Sequence, residues 1–318
     1  MNEEKDQNRE SSSAAKSNYH IPVLLNEALE GLKISANGVY VDCTFGGGGH
    51  SKAILEKLDE NGRLIVFDQD EDAKANVPDD KRVVFVPHNF RHLKRFLQLH
   101  RYAQVDGVLA DLGVSSHQFD QAERGFSIRF DAKLDMRMDR RQTKTAAEIL
   151  KTFTEKELHK LFEQYGEVTN SKTLAKTIVE LRKTTSFDTT DSFKSAVSGI
   201  VKGNPNKYFA QVYQALRIEV NDEMGALKEL LEQIPQVLKP GGRAAIITFH
   251  SLEDRLVKVF FKNGTFELEE ENPFQNRVSK SQLKLINKKP IEAGVEELKL
   301  NKRSRSAKLR VAEKIESQ

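Results

Sequence analysis

The sequence predicts an α/β protein: a doubly wound, mostly parallel sheet with an inserted all-α domain. Three observations carry that prediction. Short β-branched runs alternate with helix-period segments from Val39 to Asp111, the pattern of a parallel sheet with crossover helices. A glycine run, Gly46 to Gly49, separates the first such strand from the first such helix. After Asp111 the next convincing buried strand is Arg243 to Thr248, a gap far longer than the ~30 residues of one strand–helix–strand unit.

The elements follow in order. Residues 1–18 are polar and serine-rich, and a disordered tail is expected there. His20-Ile-Pro-Val-Leu-Leu begins order and leads a short helix over the sheet edge. Val39 to Asp42 is a buried strand ending in an acid, and Ser51 to Leu58 has helical spacing. Arg63 to Asp68, Arg82 to Val86 and Val105 to Asp111 are the next strands, two of them again ending in acids. Asp70 to Ala75 reads as a helical turn and Arg91 to His100 as a helix. Thr145–Leu150, Thr154–Tyr165, Ser171–Leu181 and Asp191–Val201 are helical, which places an inserted helical substrate-recognition domain at 116–209. Residues 19–115 and 210–318 make up the discontinuous sheet domain. Gln214 to Val237 returns to the sheet as one long helix, and Leu252 to Phe261 adds another. Lys262 to Leu300 reads as charged and irregular, and the chain closes on an alternating, edge-like strand ending near Glu313.

Ligands of doubly wound sheets bind beyond the carboxyl ends of the strands, so Asp42, Asp68 and Asp111 are expected to converge on one crevice. Glycines let the backbone approach a ligand. Asp68 follows the loop by about 20 residues, where an acid takes both hydroxyls of a ribose. Counted from Gly46, the dinucleotide pattern G-x-G-x-x-G fails at Ser51. A cofactor without a pyrophosphate fits better, and S-adenosylmethionine is the one that this loop and its two acids suit.

At 318 residues the prior is about two domains. The net charge of +3 is mild, so a nucleic-acid surface has to come from local patches. The single cysteine, Cys43, excludes an internal disulfide and reads as a buried small residue. No apolar run suits a membrane span or a signal peptide, so the cytoplasm is the expected address. Oligomeric state, a homodimer included, is not written in the sequence.

Several local patterns invite chemistry. His50, at a helix start beside the loop, reads as backbone-anchored rather than as a base. His88 and His92 lack a third ligand, and no metal is expected. Phe249-His-Ser-Leu-Glu-Asp254 holds the residue types of a hydrolase triad, but triads are assembled in space, not along six residues. Ser251 is expected to cap the following helix with Asp254 at its third position, leaving His250 near the crevice. Arg124-Gly-Phe126 offers a cation, a hinge and a ring, which suit splayed RNA bases, although a plain surface loop would look the same. Lys302 to Arg310 is cationic enough to meet phosphates, or to solvate an edge strand.

Taken together, His20-Ile-Pro-Val-Leu-Leu25, Asp42 to Ser51, Asp111-Leu-Gly-Val-Ser-Ser-His-Gln118, Arg124 to Ser127, Leu134 to Met138, Gln214 to Asn221, Phe249 to Arg255 and Arg303 to Arg310 resemble the bacterial 16S ribosomal RNA cytosine-N4 methyltransferases. The match runs in order from about Tyr19 to Lys314. It departs from the family pattern at Gly47, His117, Thr248 and Asn301-Lys302. The resemblance implies a Rossmann-like class I methyltransferase fold with a helical insertion. It also implies methyl transfer from S-adenosylmethionine to N4 of a decoding-centre cytosine of the small ribosomal subunit. Carried over, the cofactor residues are Gly48, Gly49, His50, Asp68, Phe90, Asp111 and Gln118. Asp68 takes the ribose and Phe90 lies by the adenine. Asp111 is also the catalytic candidate, serving either the target amine or the methionine ammonium. Arg124, Phe126, His250, Arg303 and Arg305 are the candidate RNA contacts. A nicotinamide-dependent dehydrogenase and a non-catalytic ribosome-assembly factor are the competing readings.

Overall fold

The computed structural model describes residues 22–267 and 281–316. The expected disordered tail, and the first two residues of the His20 segment, lie outside them.

Seven strands form one sheet. They are β1 (Val39–Asp42), β2 (Arg63–Phe67), β3 (Val83–Val86), β4 (Val105–Asp111), β5 (Leu238–Thr248), β6 (Leu283–Leu285) and β7 (Lys308–Lys314). Their order is β3-β2-β1-β4-β5-β7-β6. β1 to β5 pair in parallel, while β7 runs antiparallel between β5 and β6. The doubly wound α/β reading of the sequence agrees with this sheet. Two local expectations are corrected. β7 is not an edge: Leu309, Val311 and Ala312 are buried against β5, and β6 supplies the outer edge. The stretch read as irregular holds that strand.

Twelve α-helices complete the described chain. They are α1 (Leu25–Leu32), α2 (Gly49–Leu55), α3 (Leu93–Leu99), α4 (Ser116–Asp120), α5 (Ala146–Thr152), α6 (Glu155–Gln164), α7 (Ser171–Leu181), α8 (Thr190–Val197), α9 (Pro205–Asn221), α10 (Glu223–Val237), α11 (Ser251–Asn263) and α12 (Val295–Leu300). Alternate residues of each central strand face opposite layers, as a period of two requires. Val41, Ile65, Val108 and Ala244 pack with α3, α10 and α11. Tyr40, Leu64, Leu109 and Ala245 pack with α1 and α2. Both faces are covered, which is why the strands read as continuous apolar runs.

A second core gathers Leu134, Ile149, Phe162, Ile178, Phe193 and Leu216 from α5 to α9 and the segment before them. Its helices start on side-chain caps such as Thr145, Thr154 and Asn204, the last followed by Pro205 at the first helical position. The single long helix expected over Gln214–Val237 is two helices. The first begins at Pro205, before Gln214, and Asp222, at φ 47°, breaks the ladder in the left-handed region, ending α9 before α10 starts.

Candidate functional site

A cavity of about 1500 Å³ opens at the carboxyl ends of β1, β2 and β4. The glycine loop forms one wall. Gly48 holds φ 75°, and a Cβ there would lie 3.1 Å from the Phe45 ring. A Cβ on Gly49 would meet Pro22 at 2.3 Å. Side chains are therefore disfavoured at Gly48 and Gly49, though a Cβ on Gly47 would meet nothing, and the loop's backbone lines the cavity.

Asp42 does not share the crevice in the way the strand ends suggested. Its carboxylate turns into the loop, accepting from Thr44 N–H at 3.0 Å and from the Ser51 hydroxyl at 2.6 Å. It is 1% exposed and fixes the loop instead of meeting a ligand. Asp68 does line the cavity. It accepts from Gly46 N–H at 2.7 Å and from Asp70 N–H at 2.8 Å. Burial pushes its carboxyl up to about 6, against those two hydrogen bonds.

His50 and Asp111 make an unusual pair. His50 Nε2 lies 2.9 Å from the Val23 carbonyl, which only accepts, so this nitrogen carries the proton. Burial lowers the His50 pKa and favours the neutral ring. Nδ1 then presents a lone pair, 3.8 Å from Asp111 Oδ2. The other Asp111 oxygen is enclosed without a hydrogen-bond partner among the described residues. Burial, then the charges of Asp42, Glu253 and Glu297, raise the Asp111 carboxyl well above the usual range. Once Asp111 ionises, two acceptors face one gap that lacks a donor. A group rich in N–H, such as an ammonium, satisfies both.

Phe90 and Gln118 also line the cavity. Gln118 donates to Asp70 Oδ2 at 2.6 Å and closes a capping box with Ser115 at the start of α4. The structure thus brings together Gly48, Gly49, His50, Asp68, Phe90, Asp111 and Gln118.

The expected RNA contacts divide. Arg303 lines the cavity mouth, bonded to Asp120 at 2.7 Å and set over the Phe119 ring, and Arg305 is exposed. Arg124 and Phe126 are not presented to solvent. Arg124 is 3% exposed and bridges Asp70 at 2.8 Å and Asp72 at 3.0 Å. Phe126 packs in the second core. Together they tie the end of β2 to the helical cluster, because a buried guanidinium needs this many acceptors. His250, not Ser251, is the N-cap residue of α11, and Glu253, not Asp254, reaches back to accept Phe249 N–H at 2.8 Å. His88 stacks on Phe96 with centroids 4.6 Å apart. Cys43 is buried, and burial raises its thiol well above the ordinary value.

Sequence reasoning passed over Thr44, Phe249 and Glu253, although all three line the cavity. The available signal was position: Phe249 to Glu253 directly follow the end of a central strand, as Asp111 does.

Comparison with known proteins adds to this geometry. A model described as the MraW methylase family matches residues 17–315. The ribosomal RNA small subunit methyltransferase H of Flavobacterium johnsoniae is 53% identical over 298 residues, spanning 93% of this chain and 98% of that protein. Its namesake in Phocaeicola vulgatus is 52% identical over 303 residues, spanning 95% and 99%. A solved rRNA methylase from Streptococcus thermophilus aligns with a TM-score of 0.40 at 10% identity, covering 92% of this chain and 94% of that one.

Proposed function

The chain belongs to the MraW methylase family, and on that premise we infer that it transfers a methyl group from S-adenosylmethionine to N4 of a cytidine in the 16S RNA of the small ribosomal subunit. The observation that carries this reading is the convergence of the glycine loop, Asp68 and the His50–Asp111 pair on one cavity. Those groups match the cofactor part by part. Gly48 and Gly49 leave room for its backbone-hugging methionine. The Asp68 carboxylate takes the ribose hydroxyls, and Phe90 borders the adenine. Asp111 and the His50 lone pair take the ammonium, so we assign Asp111 to the cofactor rather than to the target amine. A dinucleotide would need donors for a pyrophosphate where this site offers two acceptors.

The bound cofactor supplies a sulfonium-activated methyl group. The chain's own task is placement, and orientation of reacting groups supplies roughly 7–11 kcal/mol in favourable cases. We assign residues 116–209 to substrate recognition, with α9 extending their core as far as Val220. We place the target cytosine in the decoding centre, unstacked into the cavity from the mouth where Lys302 and Arg303 stand. No described helix is long and apolar enough to cross a membrane.

The test is direct. Purified protein, labelled S-adenosylmethionine and small ribosomal subunits are incubated, and the RNA is digested to nucleosides. N4-methylcytidine is the expected product; label in any other nucleoside, or none, overturns the reading. Calorimetry with S-adenosylhomocysteine and with a nicotinamide dinucleotide separates the dehydrogenase alternative.

A further inference from the structure

We propose that the corner formed by Phe249 and Glu253, where β5 ends and α11 begins, seats the target cytosine, with the Glu253 carboxylate accepting the proton that N4 loses. The proposal rests on the methyltransferase reading above and deepens it to named residues.

Position comes first. Cofactor residues occupy the ends of β1, β2 and β4, and β5 is the next strand of the sheet beyond Asp111. A nucleophile approaching the methyl group from outside the cofactor therefore meets the end of β5. Phe249 stands there, half-buried and lining the cavity. Gly113 faces it, and a Cβ on that glycine would come 3.6 Å from the ring. With no side chain at Gly113, the ring offers a flat surface for stacking a base.

Chemistry comes second. Glu253 lines the cavity yet is 2% exposed. Its Oε2 is held by Phe249 N–H at 2.8 Å, which fixes the carboxylate. Its Oε1 lies 3.2 Å from His250 Nε2. That is an ion-pair distance, and the His250 ring is otherwise enclosed without a hydrogen-bond partner among the described residues. An acceptor therefore stands beside the stacking surface, while His250, expected from the sequence to face the crevice, does not line the cavity and lies behind that carboxylate. Cytosine presents an N4 amine that donates beside ring acceptors, which complements this arrangement.

The step balances. The N4 lone pair forms the bond to the methyl carbon, and the carbon–sulfur pair leaves on sulfur as a neutral thioether. The positive charge now on N4 is discharged when one of its protons passes to Glu253. His250 is a positioning residue behind that carboxylate.

Four charged or titratable groups bear on Glu253: His250 at its own helix start, Arg217 from α9, Glu223 from α10 and Asp111 from β4. Burial alone would raise its carboxyl, but His250, the Phe249 N–H and Arg217 hold it below the ordinary value, ready to accept. A bound cation is the competing occupant, because ligand atoms of Glu223, His250 and Glu253 lie within 4.8 Å of one another. Both Glu223 oxygens, however, already receive the Arg217 guanidinium at 2.8 and 3.0 Å. A fixed cation at that spot disfavours a second and leaves the amine as the better guest.

The test uses the full chain and small ribosomal subunits under single-turnover conditions. Glu253→Gln is expected to slow methylation about 100-fold, the scale of a missing general base. It should flatten the acidic limb of the pH–rate profile. The Kd for S-adenosylhomocysteine should change far less than the rate, because the amide can keep the Phe249 N–H bond and reaches the cofactor only through the charge felt by Asp111. Phe249→Leu should raise the KM for subunits roughly 5- to 100-fold, the range of one missing base stack, with kcat little changed, and Phe249→Tyr should restore it. Each variant's melting temperature is measured alongside; if Glu253→Gln does not fold, Phe249→Leu and its rescue decide the matter. Wild-type kinetics in both variants overturn the corner, as does a rate that is abolished by a chelator and restored by a divalent cation. If the unaltered protein makes no N4-methylcytidine, the function itself fails, and that outcome is distinct.

Discussion

Asp68 shows what a single residue adds to a motif. Its place after the second strand was legible from the sequence, because an acid at that distance from a glycine loop has a ribose to serve. Its titration was not, since the two backbone N–H groups it accepts and its burial exist only in the fold. Raised to about 6 from 3.8, this carboxyl binds its proton more tightly folded than unfolded. Its contribution to stability is therefore full below the lower value and declines as pH rises between the two. Ribose hydroxyls donate to the ionised form, so cofactor affinity should rise across the same window. S-adenosylhomocysteine should bind about tenfold more tightly at pH 7.5 than at pH 5, one pKa unit below the midpoint. Calorimetry at the two values checks this, and Asp68→Asn should remove this carboxyl's share of the dependence, leaving that of Asp111, along with much of the affinity. Gly48→Val tests the loop by a separate route. With φ 75° and the Phe45 ring at 3.1 Å, a branched side chain is strained at that point, and cofactor binding should fall at least tenfold in the same assay. Asp42 carries the opposite lesson. As a strand-end acid it looked equivalent to Asp68, and only the Ser51 hydroxyl and Thr44 N–H disclose that it is a loop brace.

Elements were legible where one physical cause decides them. Strands buried on both faces announced themselves as apolar runs, and the helices after Thr145 and Thr154 by their helical period, whereas the start of α9 at Asn204-Pro205 was passed over and the helix expected only from Gln214. The break at Asp222 was not legible, because the apolar period continues through it from α9 into α10. Nor was the burial of Arg124. The stretch Arg124-Gly-Phe126 looks like an exposed RNA contact until Asp70 and Asp72, which lie more than fifty positions earlier in the chain, are seen to receive the guanidinium. That ion pair couples the end of β2, and so the ribose acid next to it, to the segment that leads into α5. Arg124→Met strands Asp70 in a buried position and should destabilise the fold by about 3–5 kcal/mol. Urea unfolding measures it. Adding Asp70→Asn should recover part of the stability, and recovery of none would show that the guanidinium's bonds to the Arg137 and Met138 carbonyls carry the effect.

The whole molecule carries a mild net charge, with a short basic stretch on one side of the cavity. Lys302 and Arg303 line the cavity rim, with Arg305 and Lys308 close by in sequence. Neutralising Arg303, Arg305 and Lys308 together should weaken subunit binding and flatten its salt dependence by up to about one unit of slope for each phosphate that is no longer neutralised. A filter-binding series in salt reads the slope, and an unchanged slope would remove this segment from the interface. The position of β7 has a temporal consequence. A ribosome makes β5 some sixty residues before the strand that pairs with it, and in that interval β5 has an open edge with the backbone of Ala244, Ile246 and Thr248 unpaired on that side. The growing polypeptide must hold a half-built sheet until residues 308–314 have left the exit tunnel. Nascent chains stalled before Lys308 should therefore be cut readily by protease, and those released after Lys314 should resist it. The central sheet is thus closed by a strand made after β5 and lying second from the sheet's edge.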